Sequence, residues 1–189
     1  MRPGVRLPRS FYARPTLEVA RDLLGKTLVH DSPDGRRMVR LVEVEAYLGL
    51  RDPASHAYRG MTPRSAPMFG RAGHSYVYLV YGMYWCANVV SEWPGSPGAV
   101  LLRGAEPLDG VVSDARLLAG PGKLARSLGL TGSHTGLDLV RGSPLSIHDA
   151  PAVRPHEMVR SPRIGLNPGP TFDKPWRFTV RGSLGVSRP

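Results

Sequence analysis

Met38-Val39-Arg40-Leu41-Val42-Glu43-Val44-Glu45-Ala46-Tyr47 decides how the chain is read. Its valines and its alternation of apolar with polar positions mark a strand. Lys26 to His30 reads as a partner strand, and Asp31-Ser32-Pro33-Asp34-Gly35 as the turn that closes the hairpin. Side chains alternate across a strand, so Val39, Leu41, Glu43, Glu45 and Tyr47 are expected on one face. A face that passes from apolar to acidic to aromatic implies a core that ends at a pocket.

Upstream, Thr16 to Leu24 reads as a helix, with Thr16 as cap, Glu18 in the first turn and Gly25 as its end. Downstream, Ser75 to Tyr81 and Tyr84 to Ser91 read as strands joined at Gly82-Met83. Tyr76 and Tyr78 share one face there, and Tyr81 falls on the other, near the tip. Ala99 to Ala105 is a further strand that places Leu101 and Arg103 on one side. Short helices follow at Asp114 to Leu118 and Lys123 to Leu128, around Gly120-Pro121-Gly122. Leu145 to His148, Pro162 to Leu166 and Trp176 to Arg181 read as the last strands. Connections such as Asn167-Pro168-Gly169-Pro170 are loops inside one domain. Strands outnumber helices and hairpins dominate, which predicts an α+β fold on an antiparallel sheet.

The 189 residues favour a single domain, and 41% hydrophobic residues suffice for an ordinary core. The net charge of +10 points to a polyanionic partner. Arginine supplies 22 of the basic side chains and lysine 3, a skew that suits bidentate phosphate binding and equally a biased genome. Cys86 is the single cysteine, so neither an internal disulfide nor a Cys-rich zinc site is expected. His156-Glu157 lacks the second histidine of a metalloprotease helix. No apolar run has the length of a membrane span, and Met1-Arg2-Pro3-Gly4 leads into no signal segment, so a cytoplasmic protein is expected.

Glu45 is the candidate general base, because apolar neighbours desolvate a carboxylate and raise its pKa while a nearby arginine lowers it. Glu43 reads as a solvated strand carboxylate. His56 can serve as acid, base or hydrogen-bond donor near neutral pH. Tyr47 and Tyr78 can stack on a base or fill a core. Tyr81 beside Gly82 is poorly placed for a core and well placed to insert into something. Gly120-Pro121-Gly122-Lys123-Leu124 lacks the first glycine and the Ser/Thr of a Walker loop. It reads either as a helix start that holds a phosphate on backbone N–H groups or as a plain helix start.

Glu43-Val44-Glu45-Ala46-Tyr47-Leu48-Gly49, with His56 downstream, resembles the alkyladenine (3-methyladenine) DNA glycosylase family. The likeness runs through Tyr76 to Tyr84, Asn88, Val100 to Pro107, Gly120 to Leu124 and Pro162 to Gly165, and ends at Trp176 to Gly182. It covers nearly the whole chain from about Leu17 onward, as expected for a compact, bacterial-type member. The fold then expected is one α+β domain over 1–189. Its core is a curved antiparallel sheet with surrounding helices and a protruding β-hairpin, and residues 1–10 form a loosely ordered arm.

The resemblance implies a base-excision repair enzyme that hydrolyses the N-glycosidic bond of damaged purines in double-stranded DNA. Those purines include 3-methyladenine, hypoxanthine and ethenoadenine. It assigns Glu45 to activating the water, with Arg103 beside it. It makes Tyr47, His56 and Tyr78 walls of the flipped-base pocket and sets Asn88 against a guanine amino group. Tyr81 would be the wedge, with Met83 near it, and Gly122 and Lys123 would contact phosphate. No metal or cofactor is required, no lysine lies in the motifs around Glu45, and the expected state is a monomer without an obligate protein partner. The rival reading is a non-catalytic DNA- or RNA-binding module of the same fold.

Overall fold

The computed structural model describes residues 2–188; Met1, the first residue of the expected arm, and Pro189 lie outside the described residues. Eight strands form one antiparallel sheet in the order β3-β4-β5-β2-β1-β6, with β7 and β8 attached beside β2. They are β1 (Thr27–Ser32), β2 (Gly35–Tyr47), β3 (Ser75–Val80), β4 (Tyr84–Ser91), β5 (Gly98–Asp109), β6 (Leu145–His148), β7 (Met158–Ser161) and β8 (Arg177–Val180). The helices are α1 (Arg9–Tyr12), α2 (Thr16–Leu23) and α3 (Pro121–Leu128), with several short 3-10 turns between. The α+β class and the single curled antiparallel sheet expected from the sequence are therefore present.

β2 is the spine of this sheet. One edge pairs with β5, and the other pairs with β1 over its first half and with β8 at Glu43 to Glu45. Its side-chain alternation is not continuous, because the β5 register shifts on both sides of Glu43. Before the shift Val39 and Leu41 enter the main apolar core; after it Val44 and Ala46 do. A bulge therefore turns Glu43, Glu45 and Tyr47 away from the face that carries Val39 and Leu41, and corrects the single face expected from a strict period of two.

Other differences from the expected elements are local. Pro162 to Leu166 is not a strand; β7 ends at Ser161 instead. Pro162 has no N–H to donate, and the Ile164 N–H goes to the Glu45 carboxylate rather than to a strand neighbour. Thr16 does not cap α2 with its side chain; its N–H and Oγ1 both donate to buried Glu92, each at 2.8 Å. The expected arm is tied down from Val5 onward. The Leu7 N–H donates to Ile147 O at 2.8 Å, the Asp149 N–H to Val5 O at 2.7 Å, and Leu7 is buried.

A candidate active site at the end of β2

The bulge sets two carboxylates in the interior, and arginines meet them there. Glu43 and Glu45 are both 0% exposed, so Glu43 is not the solvated strand residue expected from the sequence. Glu43 Oε1 accepts from Arg103 Nε at 3.1 Å, Arg177 Nε at 2.8 Å and Ser187 Oγ at 2.9 Å. Its Oε2 accepts from the Ser187 N–H at 2.7 Å. A charge this deep is tolerable only when paired and hydrogen-bonded.

Glu45 is held more loosely. Arg103 Nε lies 3.4 Å from Oε1 and Nη1 3.5 Å from Oε2. The Ile164 N–H donates to Oε1 at 2.8 Å and the Tyr47 hydroxyl to Oε2 at 3.0 Å. Burial raises the Glu45 pKa, and it outweighs the opposing pull of Arg103, Ile164 and Tyr47; Glu43 adds to the rise. Arg103 thus bridges both carboxylates from β5, but its shorter bond is to Glu43.

Tyr47 joins this cluster to a cavity of about 160 Å³. It lines the cavity together with His56, Tyr78 and Asn88, and Met68, Tyr76 and Leu166 are among the other walls. The four residues expected at a base pocket are therefore brought together. His56 Nδ1 is 2.9 Å from the Tyr76 hydroxyl, and its ring meets Tyr78 edge-on at 4.6 Å. Burial lowers the His56 pKa, with Arg64 adding to the shift. Burial likewise raises the Tyr47 and Tyr78 hydroxyls, so both stay protonated.

Asn88 is oriented by its own strand pair. Its Nδ2 donates to Tyr76 O at 3.0 Å and to Cys86 O at 3.4 Å. The amide N–H groups are therefore committed to backbone carbonyls of β3 and β4.

Three residues that sequence reasoning passed over complete the site. Arg163 and Asp52 are both 0% exposed in their side chains and pair bidentately, at 2.5 and 2.8 Å. Arg163 also donates to Ala46 O at 2.9 Å and stacks 4.4 Å over the Tyr47 ring. Asp52 accepts from the Leu48 and Ala54 N–H groups. This pair ties the end of β2 to the loop that carries His56. Arg64 is exposed and lies 5.1 Å over the Tyr78 ring. Arg163 stands in the Pro162 to Gly165 motif, but no spacing rule links it to Asp52 across the chain.

Tyr81 and Met83 lie apart from the cavity, in the turn between β3 and β4, and are 82% and 67% exposed. Tyr81 has φ 52, unusual for a bulky side chain. Gly122 and Lys123 open α3 next to this turn. A Cβ at Gly122 would meet the Tyr84 side chain at 3.0 Å, and one surface groove is lined by Met83, Tyr84, Gly122, Lys123 and Arg126. Among the described residues no group of three or more His, Cys, Asp or Glu could hold a metal ion. No helix among them is long and apolar enough to cross a membrane.

A bulged sheet that buries a carboxylate beside an aromatic cavity suits hydrolysis at a flat, ring-shaped group. Comparison with known proteins gives the class. Residues 10–184 match the family model described as methylpurine-DNA glycosylase (MPG). A protein of Methanocella arvoryzae is 48% identical, the alignment covering 96% of this chain and 96% of that one. One of Anaeromyxobacter dehalogenans is 51% identical over 98% of this chain and 88% of its own length. One of Myxococcus xanthus is 46% identical over 96% and 93%. Each of the three carries the name "Putative 3-methyladenine DNA glycosylase". The chain belongs to the methylpurine-DNA glycosylase family, a family of DNA-repair enzymes.

Proposed function

We propose that the protein is a monofunctional glycosylase that turns a damaged purine out of duplex DNA and hydrolyses its N-glycosidic bond. The observation that carries this reading is Glu45. It is a fully buried carboxylate with a raised pKa, linked through the Tyr47 hydroxyl to a cavity walled by aromatic rings. The target bond lies inside a stacked duplex, so the nucleotide must leave the helix first, at a cost of a few kcal/mol. Tyr81, exposed at the β3–β4 turn, fills the vacated space with Met83 beside it. Gly122 and Lys123 hold a neighbouring phosphate.

In the cavity the base stacks against Tyr47 and Tyr78, a mode tolerant of base identity. Glu45 takes a proton from water as the water oxygen bonds to the sugar C1′. The C1′–N bond breaks and its electron pair leaves with the purine. The same carboxylate, beside Arg103, stabilises the oxocarbenium-like sugar. His56 acts as a neutral imidazole that orients the base. Asn88 excludes guanine by the bulk of a fixed side chain. Its Nδ2 is engaged by Tyr76 O and Cys86 O, which holds that side chain in place. Hypoxanthine, ethenoadenine and 3-methyladenine are the substrate class, duplex DNA in the cytoplasm is the partner, and the protein works as a monomer.

Among the described residues no lysine lines the cavity, and Lys26 is tied to Asp149 and Ala150 O. The product is therefore an intact abasic strand. The test is release of hypoxanthine from a duplex by wild type and by Glu45→Gln. Release by wild type alone is expected. Tight binding without release by either protein would leave a non-catalytic binding module, and a borohydride-trapped adduct would overturn the absence of strand cleavage.

A further inference from the structure

Among the described residues, the buried charges beside the cavity pair off with one another. Glu43 and Glu45 face Arg103 and Arg177, and Asp52 faces Arg163. Each of these groups sums to zero. Arg64 is different: it is exposed, it donates to Leu79 O at 3.3 Å, and among the described residues no carboxylate lies within ion-pair distance. Its guanidinium sits 5.1 Å from the Tyr78 ring centre, against a wall of the cavity. Tyr47, the other stacking ring, already has the Arg163 guanidinium 4.4 Å from its centre.

We propose that Arg64 is a specificity-determining residue that biases this site toward neutral damaged purines and against cationic N-alkylated ones; the inference rests on the glycosylase reading above. Two physical effects act in the same direction. An uncompensated guanidinium beside the pocket repels a positively charged base and leaves a neutral one unaffected. A ring that already stacks on a cation has less of its negative face to offer a second one. The negative charge of Glu45 does not offset this, because Arg103 is already its partner.

The test measures kcat/KM for two substrates: a duplex with one hypoxanthine, and methylated DNA from which 3-methyladenine is released. Wild type, Arg64→Gln and Arg64→Lys are compared at low and high salt. Arg64→Gln should raise the ratio of cationic to neutral release about three- to tenfold. Arg64→Lys should hold it near wild type, and the gain should shrink with salt, since exposed charges are screened. A ratio unmoved in Arg64→Gln, or moved equally in Arg64→Lys, overturns the inference while leaving the glycosylase reading intact. Absence of release by wild type from both substrates would instead remove that reading, and this one with it. Because Arg64 is exposed, unchanged melting temperatures are expected for both variants.

Discussion

If Glu45 is the general base proposed above, its surroundings set the pH range of base release. A general base acts as carboxylate, and burial lifts the pKa of Glu45 above that of an ordinary glutamate. A raised pKa means that the ionised fraction falls away at a higher pH. The acid limb of the single-turnover rate on a hypoxanthine duplex is therefore expected above about pH 4.3, where a free glutamate titrates. An acid limb at or below that value would deny Glu45 the role. Asn88 offers a second test at this scale. Asn88→Asp keeps the shape but replaces a donor by an acceptor that faces Tyr76 O and Cys86 O. The expected loss of stability is about 1–3 kcal/mol. The new carboxyl, buried against carbonyl oxygens, has a folded pKa above its unfolded value. Its least harmful range is thus acidic, and the loss grows as pH rises through the folded pKa. Urea midpoints at pH 5.5 and 8 check this, and an equal midpoint to wild type at both would mean that these two bonds add nothing to stability.

At the scale of elements, the site depends on joints between strands rather than on any one strand. The limits of β4 and β6 and most of β2 were legible, because alternation and turn residues report them locally. The bulge beside Glu43 was not, since an extra residue in a ladder has no fixed sequence mark. Nor was the segment after β7, where Arg163 and Ile164 serve buried partners instead of a strand. For the same reason Glu45, Tyr47 and His56 could be picked out from sequence while the Arg163–Asp52 pair that braces them could not. Arg163→Met should destabilise by about 3–5 kcal/mol, because it leaves Asp52 buried without its partner. Adding Asp52→Asn should recover most of that stability, yet base release should stay slow, since Tyr47 and Ile164 lose their brace. Full activity in the stable double variant would reduce the pair to a scaffold. The β3–β4 turn behaves oppositely. Tyr81→Gly relieves a left-handed backbone and removes an exposed ring, so stability should hold within about 0.5 kcal/mol. Base release at limiting enzyme should nevertheless fall about tenfold, the worth of one lost stacking partner. A drop in melting temperature instead would show that Tyr81 packs on the fold.

For the whole molecule the question is which face of a protein with net charge +10 meets DNA. Several surface arginines are already engaged by neighbouring carboxylates. Arg21 pairs with Asp22 at 2.7 Å, Arg36 with Asp31 at 2.6 Å and Arg154 with Glu157 at 2.5 Å. The last pair holds the Glu157 carboxyl down at about 2. Such charges do little for a distant phosphate. Lys123 and Arg126, at the start and on the exposed side of α3, have no carboxylate partner among the described residues. They flank the groove that also holds Met83 and Tyr84, next to the exposed Tyr81. Counterion release makes the affinity of such a face fall with salt, by about 0.9 in logarithmic slope per phosphate neutralised. Lys123→Gln with Arg126→Gln should therefore flatten the salt dependence of duplex binding by about 1 to 2 in slope. Arg21→Gln with Arg154→Gln should leave it unchanged. Fluorescence anisotropy with a Glu45→Gln background, which is expected to prevent turnover, reads both. If the second pair flattened the slope and the first did not, DNA would lie against the surface that carries Arg21 and Arg154, and the β3–β4 turn could not be its wedge.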